Sequence, residues 1–248
     1  MGLITQIDDQ IGRLMSYLEE SGQSEETLIV FTSDHGDYLG DHWMGEKELF
    51  HDQSARIPMI IVDPGARADA TRGKLITNLT EAIDIAPTFI EYFGGKVPDH
   101  ILEGRSLLPA IHGTAVQPRD YVISEYDYST RPHLRHLSPN AKSCLLTMIF
   151  DGRWKMIWVE GHRPMLYDLQ TDPDEFIDLG ADKQHAGEIA RLTSTMFSWS
   201  RRQHNRVTIS DETIDSDMCH DDAVDGVYLG FWDDDELDAW KAKNNPST

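Results

Sequence analysis

The fold of this chain depends most on residues 27–36, which read TLIVFTSDHG. The first six residues form an almost continuous apolar run, rich in residue types that favour strands. Such a run is typical of a strand buried on both faces, as in a parallel sheet. The polar residues Asp34, His35 and Gly36 follow directly. Because functional groups gather at the carboxyl ends of strands in open α/β sheets, we expect a site there.

The segments on both sides of this stretch predict an α/β architecture. Apolar residues at steps of three and four predict a helix over residues 4–20. A second apolar strand is predicted over residues 57–62, and a helix over residues 85–93 with Asp84 as its cap. The order helix, strand, loop, strand, helix favours an α/β sandwich.

The second half of the chain has a different character. Residues 96–140 are rich in Pro, Gly, His and Arg and are predicted to be long loops. Strands are predicted over residues 144–150, 154–159 and 165–169, the first two joined by a hairpin turn at Asp151-Gly152, and a helix over residues 184–204. Together they predict a small antiparallel sheet with a packed helix.

These patterns divide the chain into three predicted parts: an α/β core over 1–140, the antiparallel subdomain over 141–205, and a tail over 206–248. Residues 211–240 of the tail contain twelve acidic residues and no Lys or Arg. A charge run of this kind is typical of a solvated, disordered segment. The tail also contains apolar and aromatic residues, which favour packing on a second subunit instead: Val224, Val227, Tyr228, Leu229, Phe231, Trp232 and Trp240.

Composition excludes several classes of protein. The 248 residues carry 22 basic and 43 acidic side chains, a net charge of −21. A surface this acidic repels phosphate backbones, so we expect no nucleic-acid partner. No run approaches the 18 apolar residues of a membrane span, so we expect no membrane partner. Two cysteines, Cys144 and Cys219, cannot form a disulfide scaffold and favour a reduced compartment, which predicts a cytoplasmic protein.

Asp34 and His35 are candidate ligands of a divalent metal. Asp supplies a hard anionic oxygen and His a borderline nitrogen, a mixture that suits Mn²⁺, Zn²⁺ or Fe²⁺ and is less typical of Ca²⁺. Gly36 lets the backbone turn sharply beneath them. The alternative is a simple turn in which Asp34 accepts hydrogen bonds from backbone amides.

The loop that follows is dense in ionisable residues, which is typical of functional loops beside strand ends. Lys47 is the main candidate, because a cation near a metal can bind the oxygens of an anionic ester. A zinc site made of His35, His42 and His51 is an alternative, although the separations along the chain fit no standard helical spacing. The remaining polar residues of the loop are Asp37, Asp41, Glu46, Glu48, Asp52 and Arg56.

Several motifs together resemble the sulfatase branch of the alkaline phosphatase superfamily. In chain order they are IDDQIGRL (7–14), FTSDHGD (31–37), LGDH (39–42), GEK (45–47), SARIP (54–58), DIAPT (84–88) and LYDL (166–169). The Asp-His pair and the lysine that follows look most like phosphonate monoester hydrolases and choline-sulfatase-like enzymes. The resemblance covers residues 1–205, and it corresponds to the C-terminal portion of such an enzyme.

The resemblance implies a fold and a set of roles. The fold is the C-terminal part of an alkaline-phosphatase-like α/β sandwich, with a small antiparallel C-terminal subdomain. Asp34 and His35 match the two late metal ligands of the family, and Lys47 matches the lysine that contacts the sulfuryl or phosphoryl oxygens. Arg56 belongs to the motif and is expected to be structural, paired with a loop carboxylate. His51 receives no role.

The family's nucleophile is formylglycine, formed from the Cys or Ser of a C/S-x-P-x-R motif. The 248 residues contain no such motif, since neither Cys144 nor Cys219 begins one, and the family's early metal ligands are missing too. We therefore expect a chain that is inactive alone. Because a partial sheet exposes apolar surface, we also expect a homo-oligomer.

The function predicted from the sequence is a metal-dependent hydrolase of sulfate or phosphate/phosphonate esters, with a small anionic ester as substrate. The metal is Mn, Zn, Fe or Ca. Two alternatives stay open. One is a non-catalytic remnant that assembles or binds partners through its acidic aromatic tail. The other is a different metallohydrolase, completed by carboxylates from another chain.

Overall fold

The computed structural model describes residues 2–129 and 143–202, with a few isolated positions beyond residue 212. Residues up to Asn205 form one compact unit, and Arg206–Thr248 form another. The aromatic side chains on which the predicted tail contact depends lie outside the described residues.

The first part of the chain alternates helices and strands as predicted. Gly2–Glu20 forms a long helix, and the predicted strands and third helix shorten by one or two residues at their ends. The elements are α1 (Gly2–Glu20), β1 (Ile29–Thr32), α2 (Asp52–Ala55), β2 (Met59–Val62), α3 (Ile85–Tyr92) and α4 (Leu108–Ile111).

The pairing of β1 with β2 corrects the sequence-based expectation of parallel strands buried on both faces. The two strands are antiparallel, with Ile29 opposite Val62 and Thr32 opposite Met59. Ile60, on β2, is more than half exposed. An apolar run predicts a strand but carries no information on its partner's direction or on what covers its second face. Within the described residues no further strand joins this two-stranded sheet.

The start of α3 also differs from the prediction, because Asp84 does not cap that helix with its side chain. The carboxylate of Asp84 accepts a hydrogen bond from the backbone N–H of Glu81 at 2.8 Å. It also accepts hydrogen bonds from the two terminal guanidinium nitrogens of Arg119, each at 2.6 Å. A buried carboxylate needs a charged partner. The Asp84 carboxylate therefore pairs with Arg119 through two hydrogen bonds instead of capping α3.

The second sheet is antiparallel, as predicted, and has four strands in the order β3-β4-β5-β6. The prediction of loops throughout 96–140 is wrong, because α4 and β3 lie there. β3 escaped prediction because Ser124 and Glu125 interrupt its apolar pattern at the edge of the sheet. The predicted division between 1–140 and 141–205 stays a prediction. β3 lies before residue 140 in the chain and pairs with β4, which lies after it. The elements are β3 (Val122–Asp127), β4 (Leu145–Phe150), β5 (Trp154–Val159), β6 (Met165–Asp168) and α5 (Ala186–Arg202).

The hairpin turn predicted at Asp151-Gly152 is confirmed. Gly152 has a φ of +95°, a conformation that favours glycine. The Asp151 carboxylate accepts hydrogen bonds from the backbone N–H groups of Arg153 and Trp154 at 3.0 and 2.7 Å. The turn sets the register that places Ile149 opposite Met156.

The two faces of the four-stranded sheet pack against different parts of the chain. On one face Ile149, Met156 and Leu166 are buried against Leu192 of α5. Side chains on the other face form a second core cluster with the segment that leads into α2: Phe50, Met148, Ile157 and Tyr167. The sheet therefore supports that segment directly.

Helix α1 presents an apolar stripe that nothing in the described residues covers. Leu18 is the buried residue of the helix. Ile7 and Leu14 are 57% and 56% exposed. No described helix is both long enough and apolar enough to cross a membrane.

We predict that Ile157→Ala lowers the free energy of unfolding by about 2–5 kcal/mol, because it opens a cavity in the core cluster between the sheet and the α2 segment. Urea denaturation followed by circular dichroism measures the change. Leu145→Ala is the matched control, since Leu145 is exposed on β4 of the same sheet. Equal losses for the two variants would contradict the assignment of the core.

Candidate active site

Asp34 and His35 lie immediately after β1, where the sequence predicts a site. The Asp34 side chain is 85% exposed and that of His35 is 37% exposed. Asp34 Oδ2 lies 3.6 Å from His35 Nε2, and Asp34 Oδ1 accepts a hydrogen bond from the His35 backbone N–H at 3.1 Å. The carboxylate and the imidazole therefore meet side by side on an open surface.

The hydrogen bonds of His35 determine which nitrogen carries the proton. Nδ1 lies 2.7 Å from the carbonyl oxygen of Gly36, which can only accept, so Nδ1 is protonated. Lys47 Nζ lies 2.9 Å from Nε2, so in the tautomer that carries its proton on Nδ1 the Lys47 ammonium donates to the Nε2 lone pair. A histidine held through one nitrogen by a backbone carbonyl is typical of a metal ligand that binds through the other.

Helix α2 holds the Asp-His turn and the Lys47 segment together. The backbone N–H of Gly36 donates to the Ser54 carbonyl oxygen at 2.8 Å, and the Ser54 hydroxyl donates to the Lys47 carbonyl oxygen at 2.5 Å. Position 36 must be glycine, because a Cβ there would overlap the carbonyl of Gln53. The predicted need for a glycine is thus confirmed, with close backbone packing as its cause.

Asp34, His35 and Lys47 line a cleft with a volume of about 560 Å³. Its other walls come from the α2 segment, the turn before α3, and the edge of the four-stranded sheet at β3. A cleft of this size can hold a small molecule with part of its surface buried. The three predicted site residues are therefore brought together at one cavity.

Asp34 and His35 are two side chains of the types that bind divalent metal ions. A carboxylate oxygen and an imidazole lone pair open to the same side are ligands that Mn²⁺, Zn²⁺ and Fe²⁺ accept. Within residues 2–129 and 143–202, no three ligand-type side chains converge. Among the described residues, Asp34 and His35 are thus two ligand-type side chains without a third beside them.

The alternative zinc site of His35, His42 and His51 is not formed by these residues. The rings of His42 and His51 stack at 4.1 Å, and His51 Nδ1 hydrogen bonds to the Tyr38 hydroxyl at 2.9 Å. Burial lowers the pKa of His51 to about 4 and, for the same reason, raises the pKa of Tyr38 to about 12. Both side chains are neutral near pH 7 and hold the loop.

Arg56 pairs with a loop carboxylate, as the resemblance implies. Its guanidinium lies 3.4 Å from Asp52 Oδ2, one helical turn earlier. The Arg56 side chain is exposed, so this pair adds little stability. Arg56 does not line the cleft that contains Lys47.

Sequence reasoning missed Lys155, whose ammonium is buried behind the site. Lys155 lies on β5, where its side chain shares a face with Ile157. The signal was present in the sequence, because Lys155 is the single charged residue among six otherwise apolar positions, 154–159. A lysine within a strand buried on both faces requires charged partners.

The α/β core, the Asp-His turn and the cleft define an alkaline-phosphatase-like fold of the sulfatase type. The fold matches the phosphonate monoester hydrolase of Agrobacterium radiobacter with a TM-score of 0.74 and 36% identity, over 81% of this chain and 40% of that one. The corresponding enzyme of Silicibacter pomeroyi matches with a TM-score of 0.73 and 32% identity, over 80% and 39%. The sulfatase family model matches residues 1–95 of this chain, the part that contains the Asp-His turn and Lys47.

Curated relatives agree with this assignment. The chain is 36% identical over 219 residues to the multifunctional alkaline phosphatase superfamily protein PehA of Trinickia caryophylli, covering 86% of this chain and 40% of the relative. It is 33% identical over 197 residues to an arylsulfatase of Clostridium perfringens, covering 79% and 38%. The chain therefore spans about two fifths of the length of these relatives.

We predict that Gly36→Ala lowers the free energy of unfolding by about 1–3 kcal/mol, because the added methyl group meets backbone that cannot move aside cheaply. Thermal and urea unfolding measure the loss. Gly45→Ala is the matched control in the same loop, since a Cβ there meets nothing within 4 Å. If Gly36→Ala is no less stable than Gly45→Ala, the result contradicts the close packing of the Asp-His turn against the backbone of α2.

Proposed function

We propose that this chain contributes the Asp-His-Lys part of the active site of a metal-dependent hydrolase of sulfate or phosphate/phosphonate esters. One observation carries the proposal. Around His35 Nε2 lie a carboxylate oxygen of Asp34 at 3.6 Å and the ammonium of Lys47 at 2.9 Å, at one cleft. A metal ligand pair beside an exposed cation suits a tetrahedral anionic ester.

The chain's own residues have separate roles in this proposal. Asp34 and His35 are the metal ligands, and the Nδ1–H bond to Gly36 holds the imidazole in the orientation that presents Nε2. Lys47 binds an oxyanion of the substrate and offsets its charge. A bound divalent metal would activate the nucleophile and neutralise charge on the departing oxygen.

The substrate class follows from charge and from the relatives. The chain carries a net charge of −21, so an anionic ester needs local cations to approach the cleft. Relatives include an arylsulfatase and a choline-sulfatase, and a similar solved structure is a phosphonate monoester hydrolase. Both sulfate and phosphonate esters are tetrahedral anions, and the proposal covers both.

We further propose that the 248 residues alone turn over little or no ester. They contain no C/S-x-P-x-R motif, so a formylglycine nucleophile must come from sequence outside them. Two protein ligands also hold a metal weakly when the site is open to water. Mn, Zn, Fe and Ca remain the candidate metals. The cytoplasmic location stays a prediction, supported by the low cysteine content and by the resemblance to phosphonate monoester hydrolases.

We predict that Asp34→Asn weakens Mn²⁺ binding, because it removes the anionic ligand. Lys47→Met should retain Mn²⁺ binding or strengthen it while it weakens binding of inorganic sulfate or phosphate, because it removes a cation that repels the metal and attracts the anion. Isothermal titration calorimetry measures the affinities, and assays with an aryl sulfate and a phosphodiester measure turnover.

Exposed residues of the same types provide the controls for that experiment. Asp99→Asn and Lys74→Met change one charge each away from the cleft and should leave both affinities unaltered. Loss of Mn²⁺ binding in Lys47→Met but not in Asp34→Asn would contradict the assigned roles. Normal turnover by the 248-residue chain would contradict the proposed inactivity.

The apolar stripe of α1 favours the second candidate function, assembly with other chains. Four aliphatic side chains on this helix are more than half exposed: Leu3, Ile4, Ile7 and Leu14. Apolar surface of this kind is normally covered by another protein surface. We propose a homo-oligomer in which α1 contributes to the contact. A metallohydrolase completed by another chain is the remaining alternative, and co-purification would show its partner.

We predict that the double variant Ile7→Glu/Leu14→Glu shifts the chain to a smaller species, because it places charge in the centre of the apolar stripe. Size-exclusion chromatography with light scattering measures the mass. Ser16→Glu, on the polar side of α1, is the control and should leave the mass unaltered. A wild-type chain that is a monomer at all concentrations tested would contradict the proposed assembly.

A further inference from the structure

The ammonium of Lys155 is the most deeply buried cation in the described part of the chain, with 2% of its side chain exposed. It lies 2.5 Å from Asp52 Oδ1 and 2.7 Å from Glu175 Oε1. It also donates to the carbonyl oxygen of Phe50 at 3.1 Å. All three oxygen atoms belong to segments outside the sheet that carries Lys155.

Glu175 also bonds to Asp52, the first residue of α2. Its second oxygen, Oε2, accepts a hydrogen bond from the backbone N–H of Asp52 at 2.6 Å. Asp52 is thus held through its side chain by Lys155 and through its backbone by Glu175. Burial raises the pKa of the Glu175 carboxyl, and Lys155 opposes that rise. Glu175 also has a φ of +57°, so its backbone is held in a conformation that few non-glycine residues adopt.

The restraint on Asp52 extends to the candidate site through α2. Two residues further along this helix, Ser54 accepts from the Gly36 N–H and donates to the Lys47 carbonyl. These two bonds set where the Asp-His turn and the lysine segment lie relative to each other. The path from β5 to the site therefore consists of direct contacts between named groups.

Stability alone does not account for this cluster. Moving a lysine and two carboxylates out of water costs free energy that their mutual attraction only partly offsets, so apolar packing would stabilise the core as well or better. A buried charged cluster does, however, restrict geometry, because each oxygen must stay within hydrogen-bond distance of its partner. The cluster lies between the rigid sheet and the segment that carries Lys47.

We propose that Lys155 is a positioning residue for the candidate site. By holding the first turn of α2, it fixes the separation between His35 Nε2 and Lys47 Nζ. The inference rests on the proposed function, in which His35 binds the metal and Lys47 binds the substrate, so that their separation matters. The contact itself can be observed without metal or substrate.

The experiment compares Lys155→Met with wild type by ¹⁵N NMR of the histidine rings, at one pH and in the presence of chelator. Lys47→Met gives the reference position of the His35 Nε2 resonance when the ammonium is absent. We expect Lys155→Met to shift this resonance towards that reference, because the Lys47 segment is released. An unmoved resonance in folded Lys155→Met overturns the proposal.

Arg153→Met is the matched control for general loss of stability. Arg153 directly precedes β5, two residues before Lys155, and its guanidinium pairs with Asp168 at 2.7 Å rather than with α2. It should leave the His35 resonance in place even where it lowers the melting temperature. A shift as large in Arg153→Met as in Lys155→Met overturns the proposal too.

Two further variants keep the test decisive if Lys155→Met does not fold. Asp52→Asn alters the partly exposed partner and should shift the His35 resonance in the same direction by a smaller amount. Lys155→Arg retains the charge and should restore the wild-type position at least in part. If Asp52→Asn produces no shift and Lys155→Met is unfolded, the proposal is overturned.

Failure of the proposed function would look different. A wild-type chain that binds no Mn²⁺ in calorimetry contradicts the proposed metal site, while the His35 resonance can still report the contact with Lys47. Conversely, Mn²⁺ binding by wild type together with an unmoved resonance in Lys155→Met contradicts the positioning role alone.

Discussion

The geometry of the site depends on Ser54, which bonds to both segments that bear its functional groups. Its carbonyl accepts from Gly36 and its hydroxyl donates to Lys47. Helix α2 is only one turn long, so it cannot hold its own position. It is held by packing on the four-stranded sheet and by the buried charges at Asp52. The four-stranded sheet therefore supports α2, and α2 in turn positions the candidate site that follows β1.

The electrostatic problem of the proposed reaction explains the arrangement of the site. A chain with a net charge of −21 repels an anionic ester at long range, so attraction must be local. Lys47 lines the cleft with one positive charge, and in the proposed function the Asp-His pair provides ligands for a second. In the tautomer protonated on Nδ1, His35 presents the Nε2 lone pair and adds no positive charge beside a bound cation.

Much of the fold and of the site could be predicted from local sequence. The apolar run before Asp34 identified β1, the Asp-Gly pair identified the β4–β5 turn, and helix periodicity identified α1. The errors concern non-local partners. Asp84 has the sequence of a helix cap, but Arg119, 35 residues away in the chain, takes its carboxylate. β3 lacks a clear pattern because its strand lies at an edge.

The sequence by itself determined most of the helices and strands, the Asp-His turn, and the family that the motifs resemble, because these depend on residues close together in the chain. Only the tertiary structure decided that β1 and β2 pair antiparallel, and that Lys155 lies behind α2. An apolar or charged side chain specifies what kind of environment it needs. Which segment provides that environment is settled by how the whole chain packs, over separations such as the 103 residues between Asp52 and Lys155.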